Sequence, residues 1–333
     1  MKGVADLVSF VVALGVTWAV TPLVLKLAVK RGAMAVPRSR DVHDSPKPRW
    51  GGIAIYVGVV AAVLFSVTAR HVLTHGENGW NWHLVGVLVA GTFIAFVGIV
   101  DDLKDLRAIY QVVGILAAGT ILILFGVRIE GLSNPFINQI PGSWHWFELG
   151  PASGILLTLF WVFLVTKTVD AIDGLDGLAA GVCAISSATL ALLAAASHQP
   201  EGPTIALLAA AVAGSCIGFL RHNYNPAKIF MSTVGAQFLG LMLAAISIMG
   251  TFKLAAAISV LVPVLVLGVP IFDYFIVLVR RVQHRAPLTV ADNRHLHHRL
   301  IERGLSHRQA VWVIYGCTIA LCIVALVIFQ ATH

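Results

Sequence analysis

The chain has 333 residues, 58% of them hydrophobic and only 12% charged, with a mean hydropathy of +0.87. A water-soluble domain carries about a quarter charged residues, so a soluble globular enzyme, a secreted domain and a disordered chain are excluded, and most of the surface must face lipid. The formal charge of +7 would direct a soluble protein toward nucleic acid; in a membrane protein it reads first as topology, and no nucleic-acid partner is expected.

A helical span needs about 20 mostly apolar residues. In chain order such spans are predicted at 5–27, 51–69, 83–100, 109–127, 152–169, 178–197, 203–220, 235–250, 254–279 and 311–330. The first runs on to Lys26 without a small-residue cleavage site, so it reads as a retained helix rather than a signal peptide. The connections are too short for a soluble domain. The expected architecture is therefore all-α and polytopic, with about ten transmembrane helices in one membrane-embedded domain over 1–333. Cys183, Cys216, Cys317 and Cys322 all fall in apolar runs and read as small packing residues.

If the ten helices alternate, the loops 28–50, 101–108, 170–177, 221–234 and 280–310 share one side. With the flanking Lys26 and Lys167, that side holds all of the 23 Lys and Arg except Lys2, Arg70, Arg128 and Lys253. The positive-inside rule makes it cytoplasmic and puts both termini outside. Every Asp except Asp6 lies on the same side, whereas every Glu except Glu302 lies opposite. Solubility does not sort Asp from Glu. A short carboxylate held near the backbone suits a compact metal or phosphate site.

Five motifs fall on these loops. In 43–52 (HDSPKPRWGG), Pro46 and Pro48 stiffen a turn that presents Lys47 and Arg49. Asp101 and Asp102, in GIVDDLKDL, follow an apolar span directly. They read as a base or a metal-facing pair, or else as a solvated helix end. In 168–181 (TVDAIDGLDGLAAG), Asp170, Asp173 and Asp176 are spaced three apart. On a helix they would share one arc, and three like charges there call for a cation such as Mg²⁺, with Mn²⁺ as a substitute. Asn225 and Lys228 lie in a polar loop, RHNYNPAKIFMSTVG. In 291–300 (ADNRHLHHRL), Arg294, His295, His297, His298 and Arg299 read as an anion-binding loop rather than a zinc site, because no cysteine or carboxylate pair completes a tetrahedral set. Asp273, inside the ninth span, is a functional candidate or orients one of the nearby arginines. Aromatic residues in the outside loop 128–150 form either an interfacial anchor or a small hairpin.

Carboxylates for Mg²⁺, a cationic patch and surrounding helices on one membrane face suit phosphoryl transfer between a soluble diphosphate and a lipid phosphate. A transporter is the competing class, but the acids sit at one face rather than at midplane, and no inverted repeat is visible.

In their order and spacing, HDSPKPRWGGIAI, GIVDDLKDL, DAIDGLDGLAAG, NYNPAKIFM and NRHLHHRL resemble the polyprenyl-phosphate N-acetylhexosamine-1-phosphate transferases (glycosyltransferase family 4) over essentially the whole chain. The resemblance implies ten helices in a bacterial cytoplasmic (inner) membrane with an active site facing the cytoplasm. It implies Mg²⁺-dependent transfer of a sugar-1-phosphate from a UDP-sugar to undecaprenyl phosphate, releasing UMP. HLHHRL is similar to the branch using UDP-N-acetylglucosamine; the phospho-N-acetylmuramoyl-pentapeptide branch usually has consecutive histidines there. By resemblance, Asp101 and Asp102 match the aspartate pair that handles the lipid phosphate. Asp173 and Asp176 match the metal and nucleotide site, and His295, His297 and His298 match the donor-diphosphate motif. A homodimer is compatible with the resemblance.

The chain departs from the family's pattern at two places. Lys167 and Asp170 stand where the family usually reads N-A-x-N, and Ser232 and Thr233 stand where it usually has Gly-Asp, so a neutral hydroxyl replaces an acid that helps hold Mg²⁺. Three readings are open. Asp170 replaces the missing charge, the site binds metal more weakly, or the protein is a non-catalytic relative that binds lipid phosphate or nucleotide.

Overall fold

The computed structural model describes residues 2–35, 46–73, 81–133, 146–197, 199–251, 263–283 and 295–331. Its elements are α1 (Lys2–Arg31), β1 (Met34–Ala35), β2 (Lys47–Pro48), α2 (Gly51–Leu73), α3 (Trp82–Lys104) and α4 (Ala108–Leu124). They continue with β3 (Gly131–Ser133), β4 (Trp146–Glu148), α5 (Pro151–Ile172), α6 (Leu178–Ala196), α7 (Gly202–Asn223) and α8 (Ser232–Thr251). The last three are α9 (Gly268–Gln283), α10 (Leu296–Glu302) and α11 (His307–Ala331).

Eight of these helices, α1, α2, α3, α5, α6, α7, α8 and α11, are long and apolar enough to cross a membrane, and α4 is a shorter apolar helix. The protein is an all-α, multi-pass membrane protein. The start of the ninth expected span, 254–262, lies outside the described residues; its remainder includes the first part of α9. Of the described Cys residues, Cys183, Cys216 and Cys322 are buried and Cys317 is exposed on α11, and all four are free thiols. At its described ends the loop 128–150 resolves in favour of the hairpin, since β3 pairs antiparallel with β4.

The bundle is centred on α8, whose apolar window is 89% buried, against 28% for α1 and 33% for α11. It packs on α2, α3 and α5 and touches α4, α6 and α7. Glycines set these approaches. A Cβ on Gly98 of α3 would lie 2.6 Å from Val234 Cα, and α2 crosses α8 at Gly52 and Gly235 with no room for a side chain on either. In a lipid-embedded bundle such small-residue contacts replace the hydrophobic drive available in water. The same device joins α7 to α1, where the carbonyls of Phe10 and Leu14 fill the space above Gly214 and Gly218. Pro22 lies inside α1. It cannot donate to the carbonyl of Trp18, four residues earlier, and His222 Nε2 of α7 lies 3.2 Å from that oxygen.

Candidate active site

Residues from all five motif loops meet at one end of the bundle, and α8 begins at their centre. The segment 47–52 is knitted to 227–231: Phe230 N donates to Pro48 O at 2.8 Å, Gly51 N to Phe230 O at 2.9 Å and Gly52 N to Met231 O at 3.1 Å. Lys47 Nζ donates to Ala227 O at 2.6 Å. This delivers Ser232 and Thr233, the first residues of α8, against the end of α3.

There the Asp101–Asp102 pair divides its work. Asp101 Oδ1 accepts from Leu106 N at 3.1 Å and from Gln111 Nε2 at 3.0 Å, so it shapes the α3–α4 turn. Asp102 Oδ1 accepts from the Ser232 hydroxyl at 2.5 Å, and the Thr233 backbone N–H also donates to this carboxylate. Its Oδ2 is buried without a hydrogen-bond partner. Arg49 Nη1 reaches Asp102 O at 3.4 Å and pairs with Asp105 at 3.6 Å.

The three-apart aspartates do not share a helical arc. α5 ends at Ile172, Asp173 caps it, and residues 173–177 form tight turns before α6. Gly177 takes φ +80°, a left-handed conformation that breaks a helix and that glycine adopts without strain. The three carboxylates diverge. Asp170 Oδ2 lies 2.6 Å from Lys167 Nζ. Asp176 Oδ2 turns to the NPA loop, accepting from Asn225 Nδ2 at 3.0 Å and Ala227 N at 2.9 Å. Asp173 alone faces α8, where the Ser232 backbone N–H donates to it. Burial, then the charges of Asp170 and Asp102, push the Asp173 carboxyl up to about 7.

The histidine helix α10 closes the site from above. Asp273 is buried on α9 and orients His295 and the start of α10. Its Oδ2 is 2.9 Å from His295 Nδ1, and its Oδ1 accepts from Leu296 N at 2.7 Å. His297 is 2% exposed, and its Nε2 has no hydrogen-bond partner. That nitrogen occupies the space where a Cβ on Gly174 would stand. So what approaches the DGLDG glycine is this imidazole. Burial, with His298 and His295 nearby, pulls His297 down to about 3. His298 packs on His297 with ring centroids 4.3 Å apart and the planes tilted by 40°, and Arg299 lies half-exposed on α10. Lys228 is exposed beside the NPA loop. Arg294 lies outside the described residues.

A family model described as "Glycosyl transferase family 4" matches residues 84–251. The "Probable undecaprenyl-phosphate N-acetylglucosaminyl 1-phosphate transferase" of Bacillus subtilis (strain 168) is 36% identical over 325 residues, covering 98% of this chain and 85% of the relative. The chain belongs to glycosyl transferase family 4. The "Decaprenyl-phosphate N-acetylglucosaminephosphotransferase" of Mycobacterium leprae is 37% identical over 316 residues, 90% of this chain and 78% of the relative. The "Undecaprenyl-phosphate alpha-N-acetylglucosaminyl 1-phosphate transferase" of Yersinia pestis is 26% identical over 307 residues, 91% of this chain and 78% of the relative. As a family member the protein is an enzyme, a membrane-embedded phosphotransferase.

The donors of this site are hard carboxylate oxygens, as Mg²⁺ prefers. Asp102 Oδ2 is a buried acceptor with nothing to accept from, and its charge acts on Asp173, whose carboxyl is pushed up first by burial and then by the charges of Asp170 and Asp102. These two fit such an ion. Among the described residues, no three acidic, His or Cys side chains are grouped closely enough to enclose one, so the remaining ligands would be substrate phosphates and water, the usual arrangement for Mg²⁺.

Sequence reasoning did not single out Gln111, Arg308 or Tyr315, and it read Asn223 only as part of the polar NPA loop. Asn223 accepts from Gly177 N at 3.0 Å, and Tyr315 donates to Gly177 O at 2.6 Å, so the DGLDG turn is held from two helices. Arg308 donates to Asn225 O at 2.9 Å. A polar Gln111 near the start of an otherwise apolar span was the one available signal.

Proposed function

We propose that the protein transfers N-acetylglucosamine-1-phosphate from UDP-N-acetylglucosamine to undecaprenyl or a related polyprenyl phosphate, releasing UMP, at the cytoplasmic face of a bacterial inner membrane. The observation that carries this reading is the open, buried oxygen of Asp102 beside Asp173 at the N-terminus of α8. Support comes from the names of the relatives and from the Lys and Arg sidedness of the sequence.

Asp102 and Asp173 would hold Mg²⁺, or Mn²⁺ in its place. When bound, such an ion neutralises charge on a diphosphate and on the nucleotide that leaves. The chain's own residues do the rest. The backbone N–H groups of Ser232 and Thr233 hold the two carboxylates in position, helped by the positive end of the α8 dipole. Asp176 fixes the NPA loop, so that exposed Lys228 stands at the site's edge as a phosphate contact. Asp273 holds His295 Nδ1, leaving the opposite nitrogen of that ring for a donor phosphate. The lipid phosphate arrives laterally between helices. Its oxygen attacks the β-phosphorus of the UDP-sugar, and the bond to UMP breaks. A phosphate monoester is already ionised near neutral pH, so Asp102 orients the nucleophile and no strong base is required.

The test is UMP release by purified protein given UDP-N-acetylglucosamine, undecaprenyl phosphate and Mg²⁺. Lipid-dependent UMP is expected. No UMP over a broad Mg²⁺ and Mn²⁺ range would overturn the reading in favour of a binding relative, for which Thr233 is the specific observation. UMP only from UDP-N-acetylmuramoyl-pentapeptide would move the protein to the other branch.

A further inference from the structure

Lys167 is three residues before Asp170 on α5, and its ammonium lies inside the acidic cluster. Nζ is 2.6 Å from Asp170 Oδ2 and 3.1 Å from Gln111 Oε1. The Gln111 amide is thereby oriented, because its other end donates to Asp101 Oδ1 at 3.0 Å. One cation thus serves two of the site's carboxylates, Asp170 directly and Asp101 through an amide. Lys167 and Asp170 are each about one-fifth exposed, at 21% and 22%, so the pair is shielded from most solvent screening.

Charge at the departing positions points the same way. Where the resemblance leads one to expect two asparagines and an aspartate, this chain has Lys167, Asp170 and Thr233. The added lysine and aspartate cancel, and the lost aspartate is not replaced. Asp170 is spent on Lys167 and does not stand in for the missing acid.

We infer that Lys167 is a resident cation of the site, anchored by Asp170, and that Asp170 is therefore not a divalent-ion ligand, leaving Asp102 and Asp173 to hold any such ion. A tethered ammonium supplies part of the neutralisation that a second contact to a divalent ion would otherwise give. The price is electrostatic competition, since a fixed positive charge weakens binding of a mobile one. This deepens the proposed function and rests on that reading for its use in catalysis, but not for its measurement.

The experiment is Mn²⁺ titration followed by electron paramagnetic resonance on detergent-purified protein, without donor or lipid. Lys167→Asn removes the competing charge and frees Asp170, and at least tenfold tighter Mn²⁺ binding is expected. The double variant Lys167→Asn/Asp170→Asn replaces a self-neutralised pair with a neutral one, and its affinity is expected within threefold of wild type. Unchanged binding in the single variant would overturn the inference. A loss of more than threefold in the double variant would do so too, because Asp170 would then be a ligand. If the single variant fails to elute as a folded species, the double variant alone decides. Should these binding results hold while no UMP is released, the resident cation stands and the transferase reading falls.

Discussion

His297 lies so close over Gly174 that its Nε2 takes the position of the missing Cβ. The histidine helix is thereby seated on the DGLDG turn by the absence of a side chain. Gly174→Ala must push α10 away. Overpacking of this kind costs about 1–3 kcal/mol, and donor-dependent UMP release should fall at least tenfold. In a His297→Ala background the ring is gone, and the same glycine substitution should cost less than half as much. Thermal midpoints of the four proteins in detergent measure this coupling; additive losses would refute the contact.

Titration of the same two loops gives opposite pH trends. Asp173 is raised from an ordinary 3.8 to about 7. Its contribution to stability is therefore full below about pH 4 and is lost as pH rises through 7. His297 is lowered from 6.5 to about 3. Its contribution is present above pH 6.5 and is lost as pH falls toward 3. Between pH 4 and 6.5 the two partly cancel in the wild type. Asp173→Asn should weaken the first trend and His297→Asn the second, so the difference in thermal midpoint from wild type, followed from pH 8 to 5, should slope in opposite directions for the two variants.

The raised Asp173 also makes a divalent ion compete with a proton. Mn²⁺ affinity should rise by about fivefold between pH 6 and 7 and by about tenfold between pH 6 and 8, levelling off above that. A flat profile would show that Asp173 is not a ligand.

Restoring an acid at the start of α8 should strengthen the same site. Thr233→Asp places a third carboxylate next to Asp102 and Asp173, whose hydrogen bonds already reach Thr233 and Ser232. At pH 8, the Mg²⁺ concentration for half-maximal UMP release should fall at least fivefold. A variant needing more Mg²⁺ than wild type would argue against carboxylate ligation there.

Asp273 supports α10 in two ways, so its variants should separate them. Asp273→Asn keeps an oxygen for the Leu296 N–H but loses the charge facing His295. Asp273→Ala loses both, including a helix cap worth about 1 kcal/mol. The alanine variant should lose stability, whereas the asparagine variant should mainly raise the KM for the UDP-sugar.

Much of the architecture was legible because lipid imposes a simple rule: apolar stretches of sufficient length must be helices. Eight long spans and the shorter α4 fall where hydropathy put them. Side-chain direction was less accessible. The three-residue spacing of Asp170, Asp173 and Asp176 suggested one helical arc, and the glycines between them instead made a turn that sends each carboxylate to a different partner. Likewise Asp101 and Asp102 are adjacent in sequence and equivalent by composition, yet one shapes a turn and the other keeps an open oxygen.

The sequence by itself determined that this is a polytopic helical membrane protein of a phosphotransferase family, and which five loops carry its polar residues. Composition and hydropathy settle the architecture because they sum over many residues, whereas the family came from the resemblance of five motifs in their order and spacing. Only the tertiary structure decided which carboxylates remain available. That depends on close approaches, such as Gly98 to Val234 and Gly174 to His297, and on single hydrogen bonds between segments more than a hundred residues apart, such as Ser232 to Asp102. Such contacts leave no periodic trace, so scarce charge could be counted from the sequence, but whether each charge was spent or free could not.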